Sequence, residues 1–190
     1  MKIGLYFGSF NPIHIGHLII ANYILNETEL EKIWLIVSPQ NPFKQNSSLL
    51  NEFDRLHLAR LATQDDTRIK VSDIEFKLSK PSYTSNTMAY LSEKYPHHRF
   101  SIIMGSDSFQ NLKKWKNHDY ILANYPIYVY TRPGFEIKKK PGLNLHVLDA
   151  PLIQISASQI REYIKKGKSI RYMVPEAVRE EIETRKFYKK

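Results

Sequence analysis

Short apolar runs alternate with helical apolar patterns along the whole chain, and this alternation constrains the fold more than any other feature. Six strands are predicted at residues 2–7, 32–37, 68–76, 99–105, 126–134 and 144–150. Helical periodicity is found at residues 17–27, 51–64, 84–95, 115–125, 156–167 and 175–188. Such alternation predicts an α/β fold with a doubly wound, mostly parallel sheet and helices on both faces.

The length of 190 residues, with 42% hydrophobic residues, suits one domain with its own core, in which residues 155–190 form a C-terminal helical part. In a Rossmann-like sheet, ligands bind outside the carboxyl ends of the strands, where the strand order reverses. The polar residues of interest follow the first, fourth and sixth predicted strands. We therefore expect the site to be built from those loops.

Charge and cysteine content narrow the classes of function. A net charge of +9 indicates an anionic partner, either nucleotide phosphates or nucleic acid, and charge alone does not choose between them. The chain has no cysteine, which excludes disulfides, thiol catalysis and cysteine-bound metals. No apolar run reaches the length of a membrane span, and the N-terminus is typical of a strand rather than of a signal peptide. We expect a cytoplasmic protein with no membrane partner.

The loop after the first strand, residues 8–17, has the sequence GSFNPIHIGH. We expect a helix to begin close to Gly16 or His17, and free backbone amides at a helix N-terminus bind phosphate. His14 and His17 are three residues apart, so both imidazoles can lie on one face and donate to phosphate oxygens. Because Gly16 has no side chain, a nucleotide can approach the backbone closely.

A second segment, residues 155–161, has the sequence ISASQIR and predicts another helix start. Ser156 or Ser158 can cap this helix, and its free amides make a second anion site. Arg161 lies within the first turns and can form a fork of hydrogen bonds with phosphate oxygens. Alone, the segment is better interpreted as an ordinary capped helix with a surface arginine; together with residues 8–17, it indicates function.

These two segments carry a family resemblance. Residues 8–17 resemble the G-x-F-x-P-x-H-x-G-H signature of the nucleotidyltransferase superfamily, and residues 155–161 resemble its late I-S-S-T-x-I-R motif. Along nearly its whole length the chain is similar to the bacterial nicotinate-nucleotide adenylyltransferases, which share its P-S-Y-T (81–84), G-x-D-S (105–108) and R-P-G (132–134) segments. The chain departs from the family pattern at Phe7, Ser9, Asn11 and Ala157, and Ala157 puts one phosphate contact in doubt.

The resemblance implies transfer of the adenylyl group of ATP to nicotinate mononucleotide, giving nicotinate adenine dinucleotide and pyrophosphate in NAD biosynthesis. It implies Mg²⁺ that accompanies ATP, and no metal ligand from the protein. The catalytic residues would be His14, His17, Lys44 and Arg161, with His14 or His17 acting as an imidazolium beside the phosphates. ATP would be bound by Gly8, Ser9, Phe10, Gly16, Gly105, Asp107, Ile155, Ser156 and Ser158. The acceptor would be bound by Ser82, Tyr83, Thr84, Trp115 and Arg132.

Several alternatives stay open at this point. HIGH at 14–17 and KLSK at 77–80 also resemble the two signatures of class I aminoacyl-tRNA synthetases. KLSK comes too early in the chain for that role, so we expect Lys77 and Lys80 to be surface charges. Nicotinamide mononucleotide or phosphopantetheine could replace nicotinate mononucleotide as acceptor. An RNA-binding module is the alternative of a different class, although we expect no nucleic-acid partner. The sequence leaves a homo-oligomer open.

Overall fold

The computed structural model describes residues 1–40, 49–137, 142–151 and 153–189. Within them one sheet contains six strands, β1 (Lys2–Gly8), β2 (Lys32–Val37), β3 (Ile69–Ser72), β4 (Arg99–Gly105), β5 (Ile127–Tyr130) and β6 (Leu145–Leu148). The strand order is β3-β2-β1-β4-β5-β6, and every neighbouring pair is parallel. The predicted α/β, Rossmann-like fold is therefore confirmed.

Seven α-helices accompany the sheet in the part of the chain that the structure describes. They are α1 (Ile15–Glu27), α2 (Glu52–Thr63), α3 (Thr84–Lys94), α4 (Ser106–Gln110), α5 (His118–Asn124), α6 (Ala157–Lys165) and α7 (Glu176–Thr184). Single 3₁₀ turns lie at Ile74–Lys77 and Leu112–Lys114. None of the helices described is both long enough and apolar enough to cross a membrane.

The sheet separates two hydrophobic cores, because successive side chains of a strand point to opposite faces. In β2, Ile33 and Leu35 belong to one buried cluster, whereas Trp34 and Ile36 belong to the other. Helices α1, α2, α6 and α7 cover the first face, and α3 and α5 cover the second. Each fully buried aliphatic side chain contributes about 1.5–3 kcal/mol to stability. The packing on both faces therefore makes the sheet a rigid support for the loops at its edge.

Several element boundaries differ from those predicted; β5, for example, ends at Tyr130 rather than at residue 134. The third strand ends at Ser72 instead of residue 76, because the chain turns into the 3₁₀ turn, where Phe76 N–H donates to the Asp73 carbonyl. Helix α5 begins at His118 rather than residue 115, since Asn117 has a left-handed backbone with φ of +56°. Helix α7 ends at Thr184 rather than residue 188, and Lys186 beyond it also has a φ of +56°.

The strand order reverses at the centre of the sheet. Strand β1 continues through β2 to β3 on one side, whereas β4, β5 and β6 lie on the other. The loops that leave the carboxyl ends of β1 and β4 therefore diverge and open a crevice above Gly8 and Gly105. This is the place where the sequence predicted the site.

Candidate active site

A cleft of about 850 Å³ lies over the carboxyl ends of the central strands, a size suited to a nucleotide ligand. All the residues predicted for the site line it except two. Gly16 lies behind His14, and Lys44 lies outside the described residues. The predicted residues that line the cleft are Gly8, Ser9, Phe10, His14, His17, Ser82, Tyr83, Thr84, Gly105, Asp107, Trp115, Arg132, Ile155, Ser156, Ser158 and Arg161.

The two histidines stack at the start of α1, with ring centroids 3.7 Å apart. The backbone N–H of His14 donates to Nδ1 of His17 over 3.2 Å, which leaves Nε2 of a neutral His17 ring as the protonated nitrogen. His14 is 7% exposed, and burial, followed by the positive charge of Arg132, lowers its pKa from 6.5 to about 4. His14 is therefore neutral near pH 7, and the expected imidazolium form requires the added negative charge of a phosphate beside it.

Gly16 lies directly against the ring of His14. A Cβ atom at this position would lie 3.0 Å from Nδ1 and 3.1 Å from Cε1 of His14. The space beside the Gly16 backbone is thus filled by the imidazole of His14. The glycine therefore leaves the space that the His14 ring occupies.

Gly8 and Phe10 form the floor under the histidines. Phe10 is 2% exposed, has a left-handed φ of +44°, and its ring lies edge-on to His17 with centroids 5.1 Å apart. A Cβ atom at Gly8 would lie 2.9 Å from the tip of the Phe10 ring. The glycine is therefore required for the aromatic floor, and the buried Phe10 ring supports His17.

Residues 155–161 meet the first loop as predicted. Ser156 caps α6 by accepting a hydrogen bond from the Gln159 backbone N–H over 3.2 Å. Arg161 donates from Nη1 to the Asn11 carbonyl over 2.6 Å and from Nη2 to Ser158 Oγ over 3.2 Å. Ala157 is the first residue of α6 and lines the cleft where the family pattern has a hydroxyl. The two motifs thus form one wall of the cleft.

Arg132 lies at the end of the cleft that contains Asp107. Its Nη1 lies 3.4 Å from Asp107 Oδ2, and its Nη2 donates to the Tyr130 hydroxyl over 3.0 Å. A Cβ atom at Gly105 would lie 2.5 Å from Asp107 Oδ1 and 2.9 Å from Arg132 Nε, so the glycine allows both side chains to approach. The structure therefore places Arg132, predicted to bind the acceptor, beside Asp107, predicted to bind ATP, on the β5 side of the sheet.

The segment predicted to bind the acceptor lies at the start of α3, close to Trp115. Tyr83 is the N-cap residue of α3, and Nζ of Lys116 lies 4.6 Å above its ring. Trp115 is half-buried, packs against the second core and also lines the cleft. Trp115 therefore belongs both to the second core and to the lining of the cleft.

Comparisons with known proteins agree with this geometry. Residues 5–163 match the family described as cytidylyltransferase-like. The chain is 51% identical to a Flavobacterium johnsoniae protein named probable nicotinate-nucleotide adenylyltransferase, with 100% of both chains covered. A Cytophaga hutchinsonii protein of the same name is 50% identical over 99% of this chain and 98% of its own.

The chain belongs to the bacterial nicotinate-nucleotide adenylyltransferase family, and it is a nucleotidyltransferase. Solved structures support the fold: Plasmodium falciparum nicotinic acid mononucleotide adenylyltransferase complexed with NaAD superposes with a TM-score of 0.82. The alignment covers 98% of this chain and 97% of that chain at 20% identity. The family predicted from residues 8–17 and 155–161 is confirmed, and the synthetase alternative is set aside.

The KLSK segment of this nucleotidyltransferase lies on the surface, as predicted. Lys77 ends the 3₁₀ turn and is exposed. Lys80 is also exposed, and its Nζ lies 2.8 Å from Oε1 of Glu52. Neither lysine is among the described residues that line the cleft.

Arg55 is a residue that sequence reasoning missed in this family member. It lies in α2 and is fully buried, yet no carboxylate pairs with it among the described residues. Its guanidinium instead donates to four backbone carbonyls, those of Ser9 (2.6 Å), Ser38 (2.8 Å), Pro39 (3.0 Å) and Leu50 (2.8 Å). Arg55 therefore joins the loop after β1 to the loop after β2. In the sequence, Arg55 is one of several charged residues in an amphipathic helix, and none of its neighbours distinguishes it from the exposed ones.

Glu75 was missed for a similar reason. It lies in the 3₁₀ turn at Ile74–Lys77, within the range predicted as a strand, and is 2% exposed. Its Oε1 accepts a hydrogen bond from Thr87 Oγ1 over 2.9 Å, and the residue lines the cleft near Ser82 and Tyr83. Burial raises the pKa of this carboxyl, against the opposing effect of the hydroxyls of Ser82, Thr87 and Ser38.

Proposed function

We propose that the protein transfers the adenylyl group of ATP to nicotinate mononucleotide, giving nicotinate adenine dinucleotide and pyrophosphate, as a step of NAD biosynthesis in the cytoplasm. One observation carries this proposal: the stacked pair His14–His17 and Arg161 line the same cleft as the N-terminus of α3 and Trp115. The names of the relatives support it, since those proteins are named for the same activity.

In the proposed reaction, a phosphate oxygen of the mononucleotide attacks the first phosphorus of ATP, the one bonded to the ribose oxygen. A new P–O bond forms as the bond to the bridging oxygen of the second phosphate breaks, and pyrophosphate leaves with that electron pair. No covalent enzyme intermediate is needed, because catalysis of this kind depends on alignment and charge stabilisation. The chain offers Nε2–H of His17, the imidazole of His14 and the guanidinium of Arg161 for this purpose.

The acceptor would occupy the end of the cleft at residues 82–84. Helix α3 begins at Thr84, and the amides of Thr84 and Ser85 have no partner within the helix, so they can bind the ring carboxylate of nicotinate. Trp115 offers its face to the positively charged pyridine ring. Nζ of Lys116, above Tyr83, adds a positive charge near the same position.

Mg²⁺ is proposed to arrive with ATP as part of the substrate. The described residues contain no group of three or more His, Cys, Asp or Glu side chains that could hold a metal ion. Magnesium retains much of its water and is often bound through substrate phosphates, so a site made mainly of phosphate oxygens fits this chain. The remaining proposed cation is Lys44, which lies outside the described residues.

Pyrophosphate release tests the proposal. The purified protein is incubated with MgATP and, in separate reactions, nicotinate mononucleotide, nicotinamide mononucleotide or phosphopantetheine. We expect release with nicotinate mononucleotide and much less with the other acceptors. No release with either pyridine mononucleotide would contradict the activity, whereas equal rates with both would contradict only the choice of acceptor. Steeply salt-dependent RNA binding without pyrophosphate release would favour the RNA-binding alternative.

A further inference from the structure

Glu75 is a buried carboxyl group that the proposed reaction does not use. It is 2% exposed, and no lysine, arginine or histidine among the described residues forms an ion pair with it. Burying a carboxylate without a neighbouring cation lowers the stability of the fold, so such a residue is kept only where its other contacts require it. A buried, unpaired acid in the wall of a ligand cleft is therefore a candidate for a functional role.

The contacts of Glu75 lead to the first turn of α3. Thr87 Oγ1 lies 2.9 Å from Glu75 Oε1 and 3.4 Å from the Tyr83 carbonyl, so this hydroxyl lies between the acid and the N-cap residue. The hydroxyls of Ser82, just before α3, and Ser38, just after β2, oppose the rise in the pKa of Glu75. The 3₁₀ turn that contains Glu75 packs beside β2, since Ile74 and Ile36 belong to the same buried cluster. Through Thr87, Glu75 thus connects α3 to the 3₁₀ turn that packs beside β2.

The start of α3 has the features of an anion site that needs support. The Tyr83 side chain forms no capping hydrogen bond with the helix. The Tyr83 carbonyl accepts from the N–H groups of Asn86 (3.0 Å) and Thr87 (3.2 Å), which leaves the earlier amides of Thr84 and Ser85 for a ligand. Such amides recognise a carboxylate only if they are held in position, because a shift of about 1 Å weakens the contacts severely.

We propose that Glu75 is the positioning residue that holds the first turn of α3 against β2 and thereby sets the affinity for the ring carboxylate of the acceptor. This inference rests on the proposed function. Glu75 acts through Thr87 and does not itself bind the acceptor carboxylate. A carboxylate so close to a bound anion would repel it, and burial reduces that repulsion by favouring the neutral acid.

Variants at both ends of the Glu75–Thr87 contact test the inference. Glu75→Leu and Thr87→Val each remove the hydrogen bond, and loss of one such contact corresponds to roughly a five- to tenfold weakening. We expect the KM for nicotinate mononucleotide to rise by about this factor, while the KM for MgATP and kcat change by less than about twofold. Glu75→Gln keeps an oxygen that accepts a hydrogen bond from Thr87, so its KM for nicotinate mononucleotide should be close to that of the wild type. Glu93→Gln, an exposed change on α3, is the control.

A double-mutant cycle makes the test specific. Because both changes remove the same contact, Glu75→Leu combined with Thr87→Val should raise the KM no more than either change alone. Two results would overturn the inference and leave Glu75 with a structural role. One is an equal rise in the KM for nicotinate mononucleotide and the KM for MgATP; the other is a double variant whose KM rises by the product of the two single effects. If Glu75→Leu does not fold, Thr87→Val and Glu75→Gln still decide the result. Wild-type protein that does not use nicotinate mononucleotide would instead contradict the proposed function.

Discussion

Arg161 donates a hydrogen bond from Nη1 to the backbone carbonyl of Asn11, over 2.6 Å and across 150 residues of sequence. Asn11 in turn accepts at its side-chain oxygen from the Leu50 backbone N–H, over 3.1 Å. The first loop, the late motif and the start of α2 are therefore connected. Groups proposed to surround the phosphates are thus held together by the protein's own hydrogen bonds, and such an arrangement favours catalysis by electrostatic preorganisation.

Replacing His17 tests the catalytic pair. We expect His17→Ala to lower kcat by about a hundredfold or more, because it removes the Nε2–H donor proposed to act on the phosphates. The thermal midpoint should change little, since His17 is only partly buried. Pyrophosphate release and thermal unfolding measure the two effects, with exposed His97→Ala as the control. Turnover retained in His17→Ala would remove the histidine from the mechanism.

The loss of activity in Gly16→Ala measures how precisely His14 must be positioned. In Gly16→Ala the new Cβ would lie 3.0 Å from Nδ1 of His14, so the imidazole has to move. We expect kcat to fall by about tenfold or more, since a small displacement of a catalytic group has a large effect. Circular dichroism should show an unchanged helix content. Exposed Glu27→Ala, at the other end of α1, should have wild-type activity; an equally active Gly16→Ala would show that the stacking is not needed.

Arg55 should be among the most sensitive positions for stability. Arg55→Met keeps the apolar stem but leaves the four carbonyls of Ser9, Ser38, Pro39 and Leu50 without their donor. Since each buried group that loses its partner costs about 1–3 kcal/mol, we expect a loss of at least about 3 kcal/mol in the free energy of unfolding. Urea denaturation measures it, with exposed Arg60→Met on α2 as control. Equal stability of the two variants would contradict this prediction.

Lys116 is predicted to influence the choice of acceptor. Its Nζ lies 4.6 Å above the Tyr83 ring, where it attracts a carboxylate but not a neutral carboxamide. Lys116→Met should lower kcat/KM for nicotinate mononucleotide by about two- to fivefold, the effect of one exposed ion pair of up to about 1 kcal/mol. The value for nicotinamide mononucleotide should stay constant. Exposed Lys113→Met is the matched control, and equal losses with both acceptors would indicate a phosphate contact instead.

The pH dependence of stability should report on His14. The unfolded chain takes up a proton near the ordinary pKa of 6.5, whereas the folded protein does so only near pH 4. The unfolded state thus binds more protons between these values, and this contribution to stability is lost as the pH falls from 6.5 to 4. The loss should approach about 3 kcal/mol. Urea denaturation of wild type and His14→Gln at several pH values measures it; parallel curves would contradict the prediction.

Local patterns explain why so much was predictable. The strands at 32–37 and 99–105 are short apolar runs that are buried on both faces of the sheet, so their position and parallel pairing follow from the sequence alone. The helix start at Ser156 was visible from its capping serine. The stacked histidines follow from a spacing of three residues on a helical turn. These features depend on neighbours in the chain, which a sequence displays directly.

The sequence by itself determined the strand–helix alternation, the two motif segments at residues 8–17 and 155–161, and the family. Only the tertiary structure decided that Gly16 makes room for His14, that Arg55 binds carbonyls of two loops, and that Glu75 reaches Thr87. Those relationships arise when distant segments pack against the same end of the sheet. A charged residue is written with the same letter whether it is buried or exposed. Only the surrounding atoms determine the pKa of that residue, its partners and its part in the site.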